Sequence, residues 1–419
     1  MRFRFAHLAD LHLDTPFQGL RANRPGLAAT LRDASLTAWD HAVTACLAAE
    51  VDFVVIAGDV YDGAEAGVRA QLRFRDGLAR LAAAGVQSFV VHGNHDPLAG
   101  RWSAISDWPP GVTVFGHDEV TSVPVVKHGQ PLALVHGISH ARPEVTENLA
   151  LRFQRDSSFV GYQVGLLHAN IDGRGGHANY APATLADLRA SGMDYWALGH
   201  VHVRAVLSHE RPLAIYPGNL QARHVNETGE KGFYLVDVED GRASASFVEV
   251  GLVRFDTIHL DIAGLSSVAE VHSALTTEAR LPRGTALTHV LRATLHGSGP
   301  THSALHKAGE AGLLEYLADV APAGVWWNEV RLRTRPELDR ETRLRAGDFV
   351  ADLLTLSDAR RPNAAEHVAT LVAELQSHPQ LRNVADHLGL EALIDEAQAL
   401  WDEAAIAAFD LIDAELAEG

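Results

Sequence analysis

The chain has 419 residues, 47% of them hydrophobic and 7% aromatic, with one cysteine and a formal net charge of −18. That length supplies a large core and leaves room for two or three domains. The charge argues against a broad DNA-gripping surface, the lack of any run of ~18 apolar residues excludes a membrane-spanning helix, and a single Cys46 excludes an internal disulfide.

Cys46 lies in a helix-like stretch and reads as a small core residue. The first residues, Met1 to Phe5, lead straight into a strand without the apolar region of a signal peptide, so a cytoplasmic protein is expected. The acidity is uneven. Residues 346–419 hold fifteen Asp and Glu against three Lys and Arg, so −12 of the −18 sits in this tail and the rest of the chain is only mildly acidic.

In chain order, an apolar strand over 3–9 ends on Asp10-Leu11-His12, and a helix is predicted over 27–49. The run 53–57 reads as a buried strand and leads into Gly58-Asp59-Val60-Tyr61-Asp62. A helix over 68–84, ended by Gly85, precedes a strand over 88–91 that delivers Gly93-Asn94-His95-Asp96. This alternation predicts helices packed on a sheet. Short strands follow at 112–115, 120–126 and 132–136, then a polar loop or short helix over 142–158. A strand over 164–167 ends at His168. After a helix over 183–190, the apolar run 195–198 ends at Gly199-His200-Val201-His202, and strands are predicted at 203–208, 213–216, 232–237 and 244–250. The architecture that fits is α/β, with two mixed sheets packed face to face and helices outside.

From about 252 the pattern is strand, helix, strand, helix, strand, with strands at 255–262, 286–295 and 325–333 and helices at 267–280 and 302–320. This predicts a small α/β module. Within it, Trp326-Trp327 reads as one core and one exposed tryptophan. Residues 331–345 carry six arginines against three acidic residues. The tail then reads as helical at 349–357, 364–375 and 390–416, broken at Pro362 and Pro379. The domain boundaries expected are 1–251, 252–345 and 346–419.

Five of these stretches place Asp, Asn or His just past a strand, where α/β sheets bind ligands. A carboxylate has two oxygens, so Asp59 reads as a bridge between two cations. Asp10, His12 and His202 suit the first, and Asn94, His168 and His200 the second. Oxygen and imidazole donors without thiolate suit Mn²⁺, Fe²⁺ or Zn²⁺ better than Ca²⁺. Two such ions about 3.5–4 Å apart neutralise a phosphate and acidify a water. His95 is the candidate acid for the leaving oxygen, with Asp62 fixing its tautomer and Asp96 supporting the loop. Arg223 and His224 are candidates to face a substrate phosphate.

The order Asp-x-His, Gly-Asp-x-x-Asp, Gly-Asn-His-Asp, His, Gly-His-x-His resembles the calcineurin-like metallophosphoesterase superfamily over residues 1–250. Ala9 to Phe17, and Tyr216 to Arg223 with Glu227, Gly229, Lys231 and Gly232, resemble the YhaO-type DNA repair exonucleases, relatives of SbcD. The SbcD branch commonly has a histidine where this chain has Asp62. The resemblance implies a two-sheet sandwich with a capping domain and helical tail, two divalent ions, most simply Mn²⁺, and a DNA exonuclease with endonuclease activity left open. It also implies a homodimer through the phosphoesterase domain and an SMC-like coiled-coil ATPase docked on about 350–416. Two other readings stay open: a phosphodiesterase or phosphatase for small molecules or phosphoproteins, and a non-catalytic scaffold that tethers DNA.

Overall fold

The computed structural model describes residues 2–17, 25–63, 67–99, 103–173, 179–281, 284–337, 341, 344–345, 347–377, 392–402, 404–405 and 408. Two compact units divide the chain. The first is Met1–Thr257 with Leu281–Arg292 and Pro322–Asn328, and the second is Ile258–Arg280 with Ala293–Ala321 and Glu329–Gly419.

The first unit is built on two six-stranded sheets. In chain order its strands are β1 (Arg2–Leu8), β2 (Phe53–Ala57), β3 (Gln87–Val91), β4 (Val112–Val114), β5 (Thr121–Lys127), β6 (Gln130–Gly137), β7 (Tyr162–His168), β8 (Tyr195–Gly199), β9 (Ala205–Ser208), β10 (Leu213–Tyr216), β11 (Gly232–Glu239) and β12 (Arg242–Glu249). One sheet has the order β12-β11-β1-β2-β3-β4 and the other β5-β6-β7-β8-β10-β9. The inner strands β1, β2 and β3 are parallel to one another, as are β6, β7 and β8. Antiparallel strands β11, β5 and β9 make both sheets mixed.

Alternation explains how β2 serves two cores at once. Phe53, Val55 and Ala57 face the other sheet, among Phe5, Phe89, Val164 and Tyr195. Val54 and Ile56 face the opposite way, among Trp39, Phe74 and Leu78 of helices α1 (Pro25–Ala48) and α2 (Val68–Ala83). Between the sheets, Phe5 stacks on Phe53 at 4.8 Å and meets Tyr195 edge-on at 5.1 Å. Behind the second sheet, Trp196 and Leu198 pack with Leu188 of α3 (Leu185–Ala190).

Local chemistry sets the ends. The expected helix over 183–190 begins two residues later, because Thr184 and Asp187 form a reciprocal capping box. The polar stretch 142–158 contains one short 3₁₀ turn, Leu149–Arg152, capped by Asn148.

Three strands, β13 (Val253–Asp261), β14 (Thr288–Ser298) and β15 (Val325–Arg335), form a separate sheet. With α4 (Val268–Ala279) and α5 (His302–Asp319) they follow the expected strand-helix alternation. Trp327 is buried, and Trp326 packs partly buried beside Phe255 and Val290. In the second unit, α4 buries Val271, Leu275 and Ala279, and α5 buries Leu305, Leu313 and Leu317. Tail helices follow at Phe349–Arg360 and Ala364–Ser377, with a 3₁₀ turn over Arg361–Asn363 where Pro362 interrupts them. Pro379 and part of the helix expected over 390–416 lie outside the described residues. Among the described residues, no helix is long and apolar enough to cross a membrane.

Candidate metal centre

Parallel pairing sends the ends of β1, β2 and β3 to one edge, and β7 and β8 deliver theirs beside them. The chain leaves each strand sharply. Asp10, His12, Asp59 and His200 have φ of 50°, 41°, 48° and 105°. Left-handed backbone at a non-glycine residue costs ~1–3 kcal/mol, and Asp and His tolerate it better than branched residues. Backbone bonds stitch the turns together: Asp10 N donates to Gly58 O at 3.1 Å and His12 N to Asp59 O at 3.0 Å. Two glycines are demanded by crowding. A Cβ on Gly93 would lie 2.3 Å from Asp59 Oδ1, and one on Gly199 would lie 1.9 Å from Ala57 O.

All seven candidate ligands converge. Asp10, His12, Asp59 and His202 offer ligand atoms within 4.8 Å of one another. His12 Nε2 and His202 Nε2 are 3.2 Å apart, about the separation of two imidazole nitrogens that share an ion at ~2.1 Å. On the other side, Asn94 Oδ1 lies 3.0 Å from His168 Nε2 and 3.0 Å from His200 Nδ1. Asp59 Oδ2 stands between the groups, 3.3 Å from His168 Nε2 and 3.7 Å from His12 Nε2. Asp10 accepts from His200 N at 3.0 Å.

Supporting bonds aim these donors. His168 Nδ1 donates to Ala57 O at 2.9 Å, which leaves Nε2 as the free lone pair. Glu227 Oε1 lies 2.8 Å from His202 Nδ1 and frees its Nε2 in the same way. His12 Nδ1 lies 3.0 Å from Arg223 Nη1 and 3.9 Å from Asp62 Oδ1. Asp96 holds the loops from behind, accepting from Gly93 N at 2.7 Å and Val60 N at 2.9 Å and pairing with His92 Nδ1 at 2.8 Å.

The electrostatics set the two buried carboxylates apart. Burial pushes the Asp10 carboxyl up to about 6. At Asp59 burial acts in the same direction, but the His168 imidazole outweighs it and the group sits well below the usual carboxylate range. Two buried carboxylates, an amide oxygen and four imidazoles therefore fit a pair of divalent cations by distance, tautomer and donor type.

On the rim, His95 Nδ1 meets Asp62 Oδ1 at 2.6 Å. That hydrogen bond raises the His95 pKa against the cost of partial burial. His95 opens onto a cavity of about 1270 Å³, which Arg204, Arg223, His224, Glu227 and Lys231 also line. Arg223 Nη1 reaches Asp62 Oδ2 at 3.3 Å. His224 accepts from Asn226 N at 3.1 Å. Lys231 donates to His202 O at 3.3 Å, and burial lowers its pKa to about 8.

Sequence reasoning assigned Glu227 no part in this chemistry. The available signal was a carboxylate four residues after Arg223, in the loop that follows the last histidine motif. The bond from Asp62 to Arg223 spans 161 positions and leaves no local pattern.

Residues 3–204 match the family model of the calcineurin-like phosphoesterases, and residues 255–335 match that of the metallophosphoesterase YhaO middle domain. The chain carries a calcineurin-like metallophosphoesterase domain followed by a YhaO-type middle domain. It is 40% identical over 258 residues to the uncharacterized metallophosphoesterase YhaO of Bacillus subtilis (strain 168), covering 62% of this chain and 63% of that protein. It is 28% identical over 239 residues to the DNA double-strand break repair protein Mre11 of Thermoplasma acidophilum, covering 52% and 59%. With the protein of the same name from Aeropyrum pernix the identity is 29% over 251 residues, covering 54% and 55%. The chain thus spans less than two thirds of the length of each of these relatives.

Proposed function

We propose that the chain is a two-cation phosphodiesterase that acts on DNA, as an exonuclease and possible endonuclease in repair. The observation that carries the reading is Asp59 Oδ2 standing between two ligand groups at 3.3 and 3.7 Å, beside His95, which pairs with Asp62 and opens onto a cleft. The likeness to proteins named for double-strand break repair supports DNA as the substrate. Mn²⁺ is the cation proposed, from a donor set that Fe²⁺ and Zn²⁺ also suit.

When bound, two such cations neutralise a phosphate and lower the pKa of an attacking water. The residues do the rest. Asp59 fixes the spacing of the ligand groups. His95, held through Nδ1 by Asp62, presents Nε2 to the cleft and gives its proton to the leaving oxygen. Arg223 sits over Asp62 and faces the phosphate from the cleft wall.

Three further statements belong to the same proposal. Residues 346–419 dock an SMC-like coiled-coil ATPase, a reading supported by exposed Phe349, Leu356, Leu371 and Leu375. Two copies pair through the phosphoesterase domain, and the protein works in the cytoplasm. Light scattering of the pure chain tests the pairing, and a monomer at micromolar concentration contradicts it.

The substrate test uses Mn²⁺-loaded protein on linear duplex, single-stranded DNA, bis-p-nitrophenyl phosphate and p-nitrophenyl phosphate. Cleavage of DNA and of the diester is expected. Turnover of the monoester alone assigns the chain to small-molecule or phosphoprotein phosphatases. DNA retention without cleavage assigns it to scaffolds.

A further inference from the structure

His202 is a ligand candidate whose ring is oriented by a side-chain carboxylate. Glu227 Oε1 lies 2.8 Å from His202 Nδ1. The other oxygen, Oε2, accepts from Asn219 Nδ2 at 2.8 Å and from the backbone N of Arg223 at 2.6 Å. Three donors thus fill one carboxylate that is largely buried, its side chain 18% exposed. A carboxylate carries no proton to donate when ionised, and its two oxygens are placed to accept from all three.

Arg223 Nη1 lies 3.0 Å from His12 Nδ1, His12 Nε2 lies 3.2 Å from His202 Nε2, and His202 Nδ1 lies 2.8 Å from Glu227 Oε1. The carboxylate can only accept, so it places the His202 proton on Nδ1. With the proton held on Nδ1, the Nε2 lone pair of His202 points into the group formed with Asp10, His12 and Asp59. His168 obtains its aim from a backbone carbonyl instead, so changing Glu227 addresses one ligand group without the other.

We propose that Glu227 is a positioning residue with two tasks. Through Oε1 it fixes the tautomer of His202 and strengthens it as a donor. Through Oε2 it anchors the backbone of Arg223, whose guanidinium lines the cleft beside Asp62. One carboxylate thereby ties the cation affinity of the His12–His202 group to the placement of the substrate-facing arginine. The inference rests on the two-cation reading of the cleft.

Glu227→Gln is the informative change because it keeps the shape. An amide has one acceptor and one donor end, so its NH₂ must oppose either His202 Nδ1–H or the Asn219 and Arg223 donors. Outer partners of metal-binding histidines contribute about 10–100-fold in metal affinity. Manganese titration of the full chain followed by calorimetry should show two sites in the wild type. In Glu227→Gln and Glu227→Ala one site should weaken by about 10–100-fold while the other is unchanged, and Glu227→Asp should recover part of the loss. In the unsubstituted full chain, nitrogen NMR of labelled histidine should find His202 protonated at Nδ1. Either wild-type affinity at both sites in Glu227→Gln or an Nε2-protonated His202 overturns the proposal. Neither readout involves substrate. A chain that binds two ions and cleaves no diester defeats the phosphodiesterase reading alone.

Discussion

At the scale of single residues, the buried candidate ligands are set apart from the exposed pair proposed to move a proton. Asp10 and Asp59 are buried with the imidazoles, whereas His95 and Asp62 are 39% and 31% exposed on the rim. His95→Ala should therefore keep both cations and lose turnover by about 10²–10⁴-fold, the range for a positioned acid. Elemental analysis beside a diester assay checks this, and unchanged cleavage contradicts the acid role. The ligand candidates were legible because each is a polar residue set directly after an apolar run. Asp96 was legible only as a supporter, since its bonds to Val60 N and His92 are made in space. Glu227 was invisible as a partner of His202, because 25 positions and two strands separate them.

At the scale of elements, the unbroken apolar run of β2 foretold a buried strand, and the structure gives it an aromatic side and a helix side. Propensity alone misleads where the helices meet. Gly77 lies inside α2, and replacing a helical glycine by alanine ordinarily gains ~1 kcal/mol. Here a Cβ would lie 2.3 Å from Trp39 Nε1, and the indole is pinned by donating to Arg73 O at 3.2 Å. Overpacking costs ~1–3 kcal/mol, so Gly77→Ala should be neutral to destabilising by up to about 2 kcal/mol. Urea unfolding measures this, and a gain of a full kcal/mol contradicts the packing described. No sequence rule would place Trp39 against Gly77, 38 positions away; the close fit of α1 on α2 is a tertiary fact.

At the scale of the whole molecule, the sheet core also holds a titratable group. His7 is fully buried, with Nδ1 2.9 Å from Tyr195 Oη and Nε2 3.2 Å from Leu198 O. Burial lowers its pKa to about 3 from an ordinary 6.5, although the Leu198 carbonyl opposes this. The unfolded chain then binds a proton below about pH 6.5 that the folded chain refuses. Stability should fall on acidification from about pH 6.5 toward pH 3, by about 1.4 kcal/mol per pH unit from this group. His7→Gln cannot titrate, so its urea midpoint should fall less between pH 7 and pH 5 than that of the wild type. An equal fall contradicts the role given to His7.

The central claim is that one carboxylate is shared by two cations. Cation content per chain, measured by elemental analysis after Mn²⁺ loading and desalting, tests it most directly. The account predicts two in the wild type and none in Asp59→Ala, whose loss takes a ligand from both groups. Two cations retained by Asp59→Ala would contradict it.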